Sequence, residues 1–335
     1  MRRLFVGAAA AAALVGTIQS SAVRAEVKEV ILGQQFGAVY MPMVIMEHLK
    51  LVEKQLEARK MGDVKVKWAK LGGPAALNDA FLAGSLHFAA QGVPSMALIW
   101  DRTKGEVKAV AAIANNDIWL NTRNPNIKTL KDFTEKDRIA IPSLRVSTQA
   151  IALQIAAEKV WGPGGHGKLD HIIVALPHPE ALAALLNPVH EINTHFATSP
   201  FNEVEIKTPG IRTITTFFEA MGGPSTGLTW TSTTKFRSEN PTVYAAVNAA
   251  YDEALALIAK DKKAAGRLYL VAANDKRTSP ETMDELMMSA GLEFTKVPSN
   301  VGKFVEFMHR VGTIKTKPAS WKDLFFPEIH DAKGS

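Results

Sequence analysis

Two hydrophobic periods alternate along this chain. Val27-Lys-Glu-Val-Ile-Leu32 reads as a short strand, and Gly33-Gln-Gln-Phe-Gly37 breaks it. Pro42 then opens a helical pattern with Ile45, Leu49, Val52 and Leu56 on one face. A strand follows at Val64–Trp68, and Leu71-Gly-Gly-Pro74 turns into a helix carrying Leu77, Ala80 and Phe81. Leu86–Ala90 is a strand, Gln91-Gly-Val-Pro94 opens a helix to Trp100, and Val107–Ala114 is an almost wholly apolar strand. This β-α-β-α-β-α-β order predicts a parallel sheet covered by helices.

The alternation restarts after Asn115-Asn-Asp117 and an extended Ile118–Thr122. Strands are expected at Arg138–Pro142, His171–Leu176, Ile192–Ala197 and Ile211–Phe217, with helices at Ser147–Trp161, Pro179–Leu186 and Pro200–Ile206 between them. A last strand, Gly227–Ser232, follows Gly222-Gly-Pro224. Beyond it the pattern predicts helices alone: Pro241–Lys260, Glu281–Ala290 behind Ser279-Pro280, and Asn300–Val311. A four-strand first unit is small, and the late helices need an apolar partner. The expected arrangement is therefore two α/β lobes with two crossings between them, near Asn115–Thr122 and Phe217–Gly227. Lobe one would hold residues 26–117 and 225–335, and lobe two residues 118–224.

Composition changes this picture at the N-terminus. Arg2-Arg3 precedes a 13-residue apolar run, Leu4 to Gly16, which is too short to span a bilayer; polar residues and Val23-x-Ala25 follow. Residues 1–25 read as an export signal cleaved near Ala25, and the short alanine-rich run points to a bacterial periplasm. Of the 335 residues, 39 are basic and 33 acidic. Cleavage would remove three arginines and no acid, leaving a net charge of +3, too weak and dispersed to argue for nucleic acid. The chain has no cysteine, which excludes disulfides, Cys-ligated metal and a Cys nucleophile.

Three motifs imitate catalytic signatures. Gly162-Pro-Gly-Gly-His-Gly-Lys168 has phosphate-loop spacing, but Leu169 stands where a hydroxyl should meet magnesium, and a helix precedes it. Gly223-Pro-Ser-Thr-Gly227 spells G-x-S-x-G, yet a strand follows Ser225 where a helix should. His190 and His195 are one residue too far apart for a metal-binding helix face. No cofactor or metal is expected, and no catalytic residue is assigned.

What remains is a set of polar, Gly-rich loops at the C-terminal ends of the expected strands, the edge where open α/β sheets bind ligands. They hold Gln34, Gln35, Phe36 and Tyr40; Gly72 and Gly73; Gln91 and Gly92; and Asn115. The second unit adds Ser143, Arg145, Ser147, Thr148 and Thr198. Hydroxyls, helix N-termini and an arginine together suit an anion.

The order of these pieces resembles the periplasmic substrate-binding proteins of ABC importers, in the sulfonate, taurine and nitrate group that also includes binders of thiamine pyrimidine precursors. The resemblance is carried by Gly33–Leu51, by Leu71–Ala90 (in GGPAALNDAFLAGSLHFAAQG), and by Ile139–Ile155. Glu239–Leu268 and Phe307–Phe325 (FMHRVGTIKTKPASWKDLF) continue it, so that it covers nearly the whole chain after residue 25. It implies the type II periplasmic-binding-protein fold, two lobes joined by a two-stranded hinge, closing on a ligand. It also implies a monomer that delivers a small organic anion to a membrane permease, and it carries the family's pocket onto the loop residues above. The loops at 162–168 and 176–179 and Ala197–Phe201 depart from the family pattern, which leaves the ligand open among sulfonate, nitrate, aromatic carboxylate and pyrimidine. Presentation of a ligand to a membrane sensor is the alternative role. The enzymatic relatives that make the thiamine pyrimidine use a Cys-rich motif, which this chain lacks, and a periplasmic hydrolase would rest on Ser225.

Overall fold

The two alternating units form two separate sheets in the computed structural model, which describes residues 25–335. The export signal expected over residues 1–25 lies, Ala25 apart, outside the described residues. The first sheet begins with β1 (Glu29–Gln34), β2 (Lys65–Lys70), β3 (Phe88–Gly92) and β4 (Val107–Asn116). β1 pairs in parallel with β2 and with β3. The second sheet contains β5 (Ile118–Thr122), β6 (Ile139–Ile141), β7 (Ile173–Ala175), β8 (Thr194–Thr198) and β9 (Arg212–Thr216), in the order β7-β6-β8-β5-β9. β10 (Thr226–Thr233) then returns to the first sheet and inserts antiparallel between β3 and β4. With β11 (Leu292–Phe294) on the edge of β4, the first sheet runs β11-β4-β10-β3-β1-β2. Its strands thus come from both ends of the chain, and the second sheet lies between them in sequence. We call the two halves lobe one and lobe two.

β3 is buried throughout and β10 at all but its last residue. Helices cover both faces of such strands, so in β10 Thr229, Thr231 and Ser232 are buried along with Leu228 and Trp230. On one face, Val30, Leu32, Phe88 and Trp230 pack against the helices Met41–His48, Leu51–Ala58, Pro241–Lys260 and Pro280–Met288. A second cluster crosses between the lobes. Met96 and Ala97 of the helix Val93–Arg102 and Phe304 and Met308 of the helix Val301–Arg310 share it with Leu120, Ile151, Phe196 and Phe217 of lobe two. The lobes are therefore joined by an apolar contact as well as by two chain connections.

Three expectations are corrected. The helix expected to run from Pro42 to Leu56 is two helices, broken where Lys50 adopts a left-handed backbone at φ 52°. The apolar spacing survives the break because Ile45, Val52 and Leu56 all enter one core cluster. The final third is not purely helical, since β11 adds a short antiparallel strand to β4. The strand expected from His171 shrinks to β7, because His166–Ile172 winds into a 3-10 helix.

Candidate functional site

The C-terminal edges of both sheets face each other. Lobe one brings the loops after β1, β2 and β3 and the start of β10; lobe two brings those after β6, β7 and β8 and the start of β5. The space where they meet is lined by Gln35, Val39, Tyr40, Pro74, Gly92, Asn116, Gly227 and Leu228 from lobe one. Ile118, Pro142, Thr148, Gln149, His178 and Thr198 line it from lobe two. It is narrow, with about 30 Å³ of free volume. A larger pocket of about 370 Å³ adjoins it at the mouth, sharing the β1 loop. Phe36, Gly37 and Lys70 line this outer pocket from lobe one, Pro179, Pro200 and Phe201 from lobe two, and Lys276 and Arg277 from the segment after the helix Lys262–Ala272.

The lobes touch through glycines. A Cβ on Gly73 would lie 2.5 Å from the Pro142 carbonyl oxygen and 2.6 Å from Ser143 Oγ. On Gly92 it would lie 2.4 Å from Thr148 Oγ1. At Gly37, whose φ is 128°, Ser199 O would be 3.0 Å away. Four hydrogen bonds cross at the same places: Ala38 N to Ser199 O at 2.7 Å, Thr148 Oγ1 to Gly227 O at 3.2 Å, Asn116 Nδ2 to Thr198 Oγ1 at 3.4 Å and Ala75 N to Ser143 Oγ at 3.5 Å. Side chains larger than hydrogen at these glycines would keep the walls apart.

The expected site residues divide accordingly. Gln35, Tyr40, Gly92, Thr148 and Thr198 line the narrow space, and Phe36 the outer pocket. Of the others, Gly73 and Ser143 lie at the contact between lobes, and the rest bond or pack elsewhere. Gln34 donates to Glu47 at 2.7 Å, and Gln91 accepts from Ser95 Oγ at 3.2 Å. Asn115 donates to Glu293 at 3.1 Å and accepts from Thr226 Oγ1 at 3.0 Å. Gly72 and Gly73 pack against Pro177 and against Pro142 and Ser143. The helix N-termini are taken by the protein itself: Ser147 Oγ accepts from Ala150 N at 3.1 Å and donates to Ser143 O at 2.7 Å. Arg145 is the clearest correction. It is exposed, turns the chain at φ 62°, and lines a separate recess with Gln154 and Asp170. The loop reverses before the helix Thr148–Trp161 and carries Arg145 away from the cleft while Thr148 and Gln149 enter it.

Sequence reasoning missed Gln149 and His178. His178 is buried, and its ring stacks on Phe201 at 5.5 Å between centroids. Its position after β7, opening a helix before Pro179, matches the other loop residues and could have flagged it. It also missed the cations Lys70, Lys276 and Arg277, which are scattered in sequence. Lys70 Nζ stands 4.8 Å from the Phe36 ring centre, a cation–π distance. The nearby Asp275 carboxylate is spent on its own loop, accepting from Arg277 N at 2.9 Å and Thr278 Oγ1 at 2.8 Å. Among the look-alike motifs, Ser225 Oγ donates to Gly223 O at 3.0 Å and accepts from Asn300 Nδ2 at 3.2 Å, with no histidine beside it.

Both crossings between the lobes are tied to Asp117. Its Oδ1 accepts from Ile118 N at 3.0 Å on one connection and from Phe218 N at 2.8 Å on the other. Its Oδ2 accepts from Trp119 Nε1 at 3.3 Å. Burial raises its pKa against the pull of these donors.

No family model matches the chain, and no curated protein sequence matches it. Solved structures do. The alkanesulfonate-binding protein SsuA from Xanthomonas axonopodis pv. citri, bound to MOPS, superposes with a TM-score of 0.70 at 13% identity, over 89% of this chain and 98% of that one. The periplasmic aliphatic sulphonate-binding protein SsuA from Escherichia coli gives 0.63 at 15% identity, over 90% and 92%. The periplasmic nitrate-binding protein NrtA from Synechocystis PCC 6803 gives 0.62 at 14%, over 92% and 86%. At these identities the likeness shows the fold, and the fold is that of the periplasmic binding proteins.

Proposed function

We propose that this protein is an exported solute-binding protein that holds a small organic anion between its lobes and hands it to a membrane permease, without transforming it. The observation that carries the reading is the outer pocket: two aromatic rings, Phe36 and Phe201, and three cations, Lys70, Lys276 and Arg277, border a volume of about 370 Å³ opening from the contact between lobes. That volume is within the roughly 300–1,000 Å³ of small-molecule pockets. Rings suit an apolar body, and cations suit a sulfonate or carboxylate head. Similarity to sulfonate- and nitrate-binding proteins supports the same chemistry and a periplasmic location, and similarity to the ligand-binding component of an ABC-type import system from Staphylococcus aureus supports a permease partner.

A ligand touching both walls stabilises the apposed lobes in proportion to the contacts it makes with both. Thermal unfolding against a panel of alkanesulfonates, aromatic carboxylates, nitrate and neutral pyrimidines tests the reading. An anion at 100 times its dissociation constant adds about 2.7 kcal/mol. The double substitution Lys276→Ala with Arg277→Ala is expected to weaken it at least about tenfold, and less so as salt rises. Stabilisation by neutral pyrimidines alone, indifferent to these two cations, would sink the anion reading.

A further inference from the structure

Beneath the lobe-two wall of the cleft, four side chains form a continuous hydrogen-bonded chain. Gln149 Nε2 lies 3.1 Å from His178 Nε2, His178 Nδ1 lies 2.8 Å from His195 Nε2, and His195 Nδ1 lies 2.5 Å from Glu205 Oε1. The other Glu205 oxygen accepts from Asn121 Nδ2 at 2.9 Å. Asn121 is held in that orientation by Thr213, whose Oγ1 donates to Asn121 Oδ1 at 2.8 Å. All four members of the chain are buried, and it reaches the cleft at Gln149 and His178.

These distances accommodate two proton arrangements. With two protons, Glu205 is a carboxylate accepting from His195 Nδ1–H, His195 Nε2 accepts from His178 Nδ1–H, and His178 Nε2 accepts from the Gln149 amide. A third proton arrives from solvent at His178 Nε2. The His178 Nδ1 proton then passes to His195 Nε2, and the His195 Nδ1 proton passes to Glu205 Oε1. Only N–H and O–H bonds break and form, and each atom keeps its valence. The chain becomes neutral, and His178 now offers a donor where it offered a lone pair. A half-turn of the Gln149 amide lets its oxygen accept from that donor. Burial pushes Glu205 well up, His178 well down and His195 down to about 3, so desolvation favours the neutral chain over the ionised one.

The charged groups around the chain leave this balance to the chain itself. On the helix Phe201–Ile206, Glu203 is half-buried and burial holds it up to about 7, so it opposes a second negative charge on Glu205. Lys207 follows that helix and pairs with Glu285 of the helix Pro280–Met288 at 3.0 Å. β5 and β6 bring no ionisable side chain, and in β9 Arg212 is spent on the Asn124 and Ile127 carbonyls. The helix His178–Leu186 adds an exposed Glu180, and the helix Thr148–Trp161 keeps Glu158 and Lys159 at its far end. From lobe one, Tyr40 shares the cleft, its phenol raised by burial, and Lys70, Lys276 and Arg277 stand at the mouth.

Resting on the anion-binding reading above, we propose that the chain Glu205–His195–His178 couples capture of an oxyanion to its third proton. When His178 carries Nε2–H, one oxygen of a sulfonate, carboxylate or nitrate seated in the outer pocket enters the adjoining cleft and accepts from that N–H in place of the Gln149 amide oxygen. The cleft rejects that oxygen when the chain is ionised, because His178 Nε2 is then a lone pair and the negative charge of Glu205 lies buried behind it.

Nitrogen-15 NMR of histidine-labelled protein reads the chain without any ligand. Between about pH 5 and 10, both buried histidines are expected to switch together from Nε2–H to Nδ1–H, with no imidazolium signal. In Glu205→Gln the amide nitrogen faces His195 Nδ1, because Asn121 claims the carbonyl side; both rings are then expected to stay Nε2–H throughout. Separate titration to imidazolium, or one unchanging tautomer in the wild type, overturns the proposal. The second arm is calorimetric titration with ethanesulfonate, benzoate and nitrate. Affinity is expected to fall about tenfold per pH unit once the chain ionises, and to lose that slope in Glu205→Gln. A tautomer switch with flat affinity overturns the coupling. If none of the three anions binds at any pH, the anion reading fails and the coupling fails with it, while the tautomer record still decides whether the buried chain switches.

Discussion

The two lobes meet the cleft with different material. Lobe one brings bare backbone at the closest contacts, where a Cβ on Gly37, Gly73 or Gly92 would press on lobe two, beside the side chains of Gln35, Tyr40 and Asn116. Lobe two brings side chains: Ser143, Thr148, Gln149, His178 and Thr198. The contrast continues below the surface. Behind the lobe-one wall lie neutral groups, with Ser95 Oγ between the amide oxygens of Gln91 and Asn78, whereas behind lobe two lie the ionisable His195 and Glu205. The glycines of one wall thus set how closely the lobes approach, and the other wall is backed by a buried ionisable chain.

The largest effect should come from adding bulk to the plain wall. Gly73 has an extended backbone that alanine can adopt, so Gly73→Ala strains the lobe contact and leaves the local fold alone. We expect a larger radius of gyration in X-ray scattering and about 100-fold weaker binding of whichever anion stabilises the wild type, or about 2.8 kcal/mol. An unchanged radius and affinity would remove the glycine wall from the explanation. Asp117→Ala strips the acceptor from two backbone N–H groups at the crossings and should cost about 2 kcal/mol of stability, read by denaturant unfolding. A loss below about 0.5 kcal/mol would mean that water replaces the carboxylate at the hinge.

The lobe-two wall is tested next by pH. Burial holds Glu203 at about 7 in the folded protein, above the usual 4.5. Its raised value contributes stability that is fully present below about pH 4.5 and is lost as pH rises through about 7. Glu203→Gln should therefore be more stable than the wild type at pH 8, by roughly 1–3 kcal/mol in denaturant unfolding, and show little of that gain at pH 5. An equal difference at both pH values would contradict the raised value. The smallest effect belongs to Arg145. It is exposed and outside the cleft, so Arg145→Ala should leave anion affinity within about twofold, and a tenfold loss would bring that loop back into the site.

Much of the framework was legible in the chain. The apolar run at Val107–Ala114 and the segment Gly227–Ser232 after Gly222-Gly-Pro224 gave two interior strands, and the restart at Arg138 gave the second unit. The loops were legible as a set because punctuation by Gly, Pro and polar residues marks strand ends wherever they occur. Their individual roles were not. Gln34 and Gln35 are neighbours with the same chemistry, yet one bonds Glu47 and the other lines the cleft, because successive residues leave a strand on opposite sides. Ser147 and Thr148 divide likewise, one capping its helix and the other crossing to lobe two.

The sequence by itself determined the alternation of strands and helices, the absence of any cysteine chemistry, and the edge of each sheet on which polar loops gather. These are properties of local spacing and composition, which act within a dozen residues. The tertiary structure alone decided that Gly73 and Gly92 serve the fit between lobes and that Arg145 faces away. It also decided that Gln149, His178, His195 and Glu205, up to 56 positions apart, share one run of hydrogen bonds. Each depends on the approach of segments distant in the chain, and a burial that turns an ordinary histidine into part of a buried network has no signature in the residues beside it.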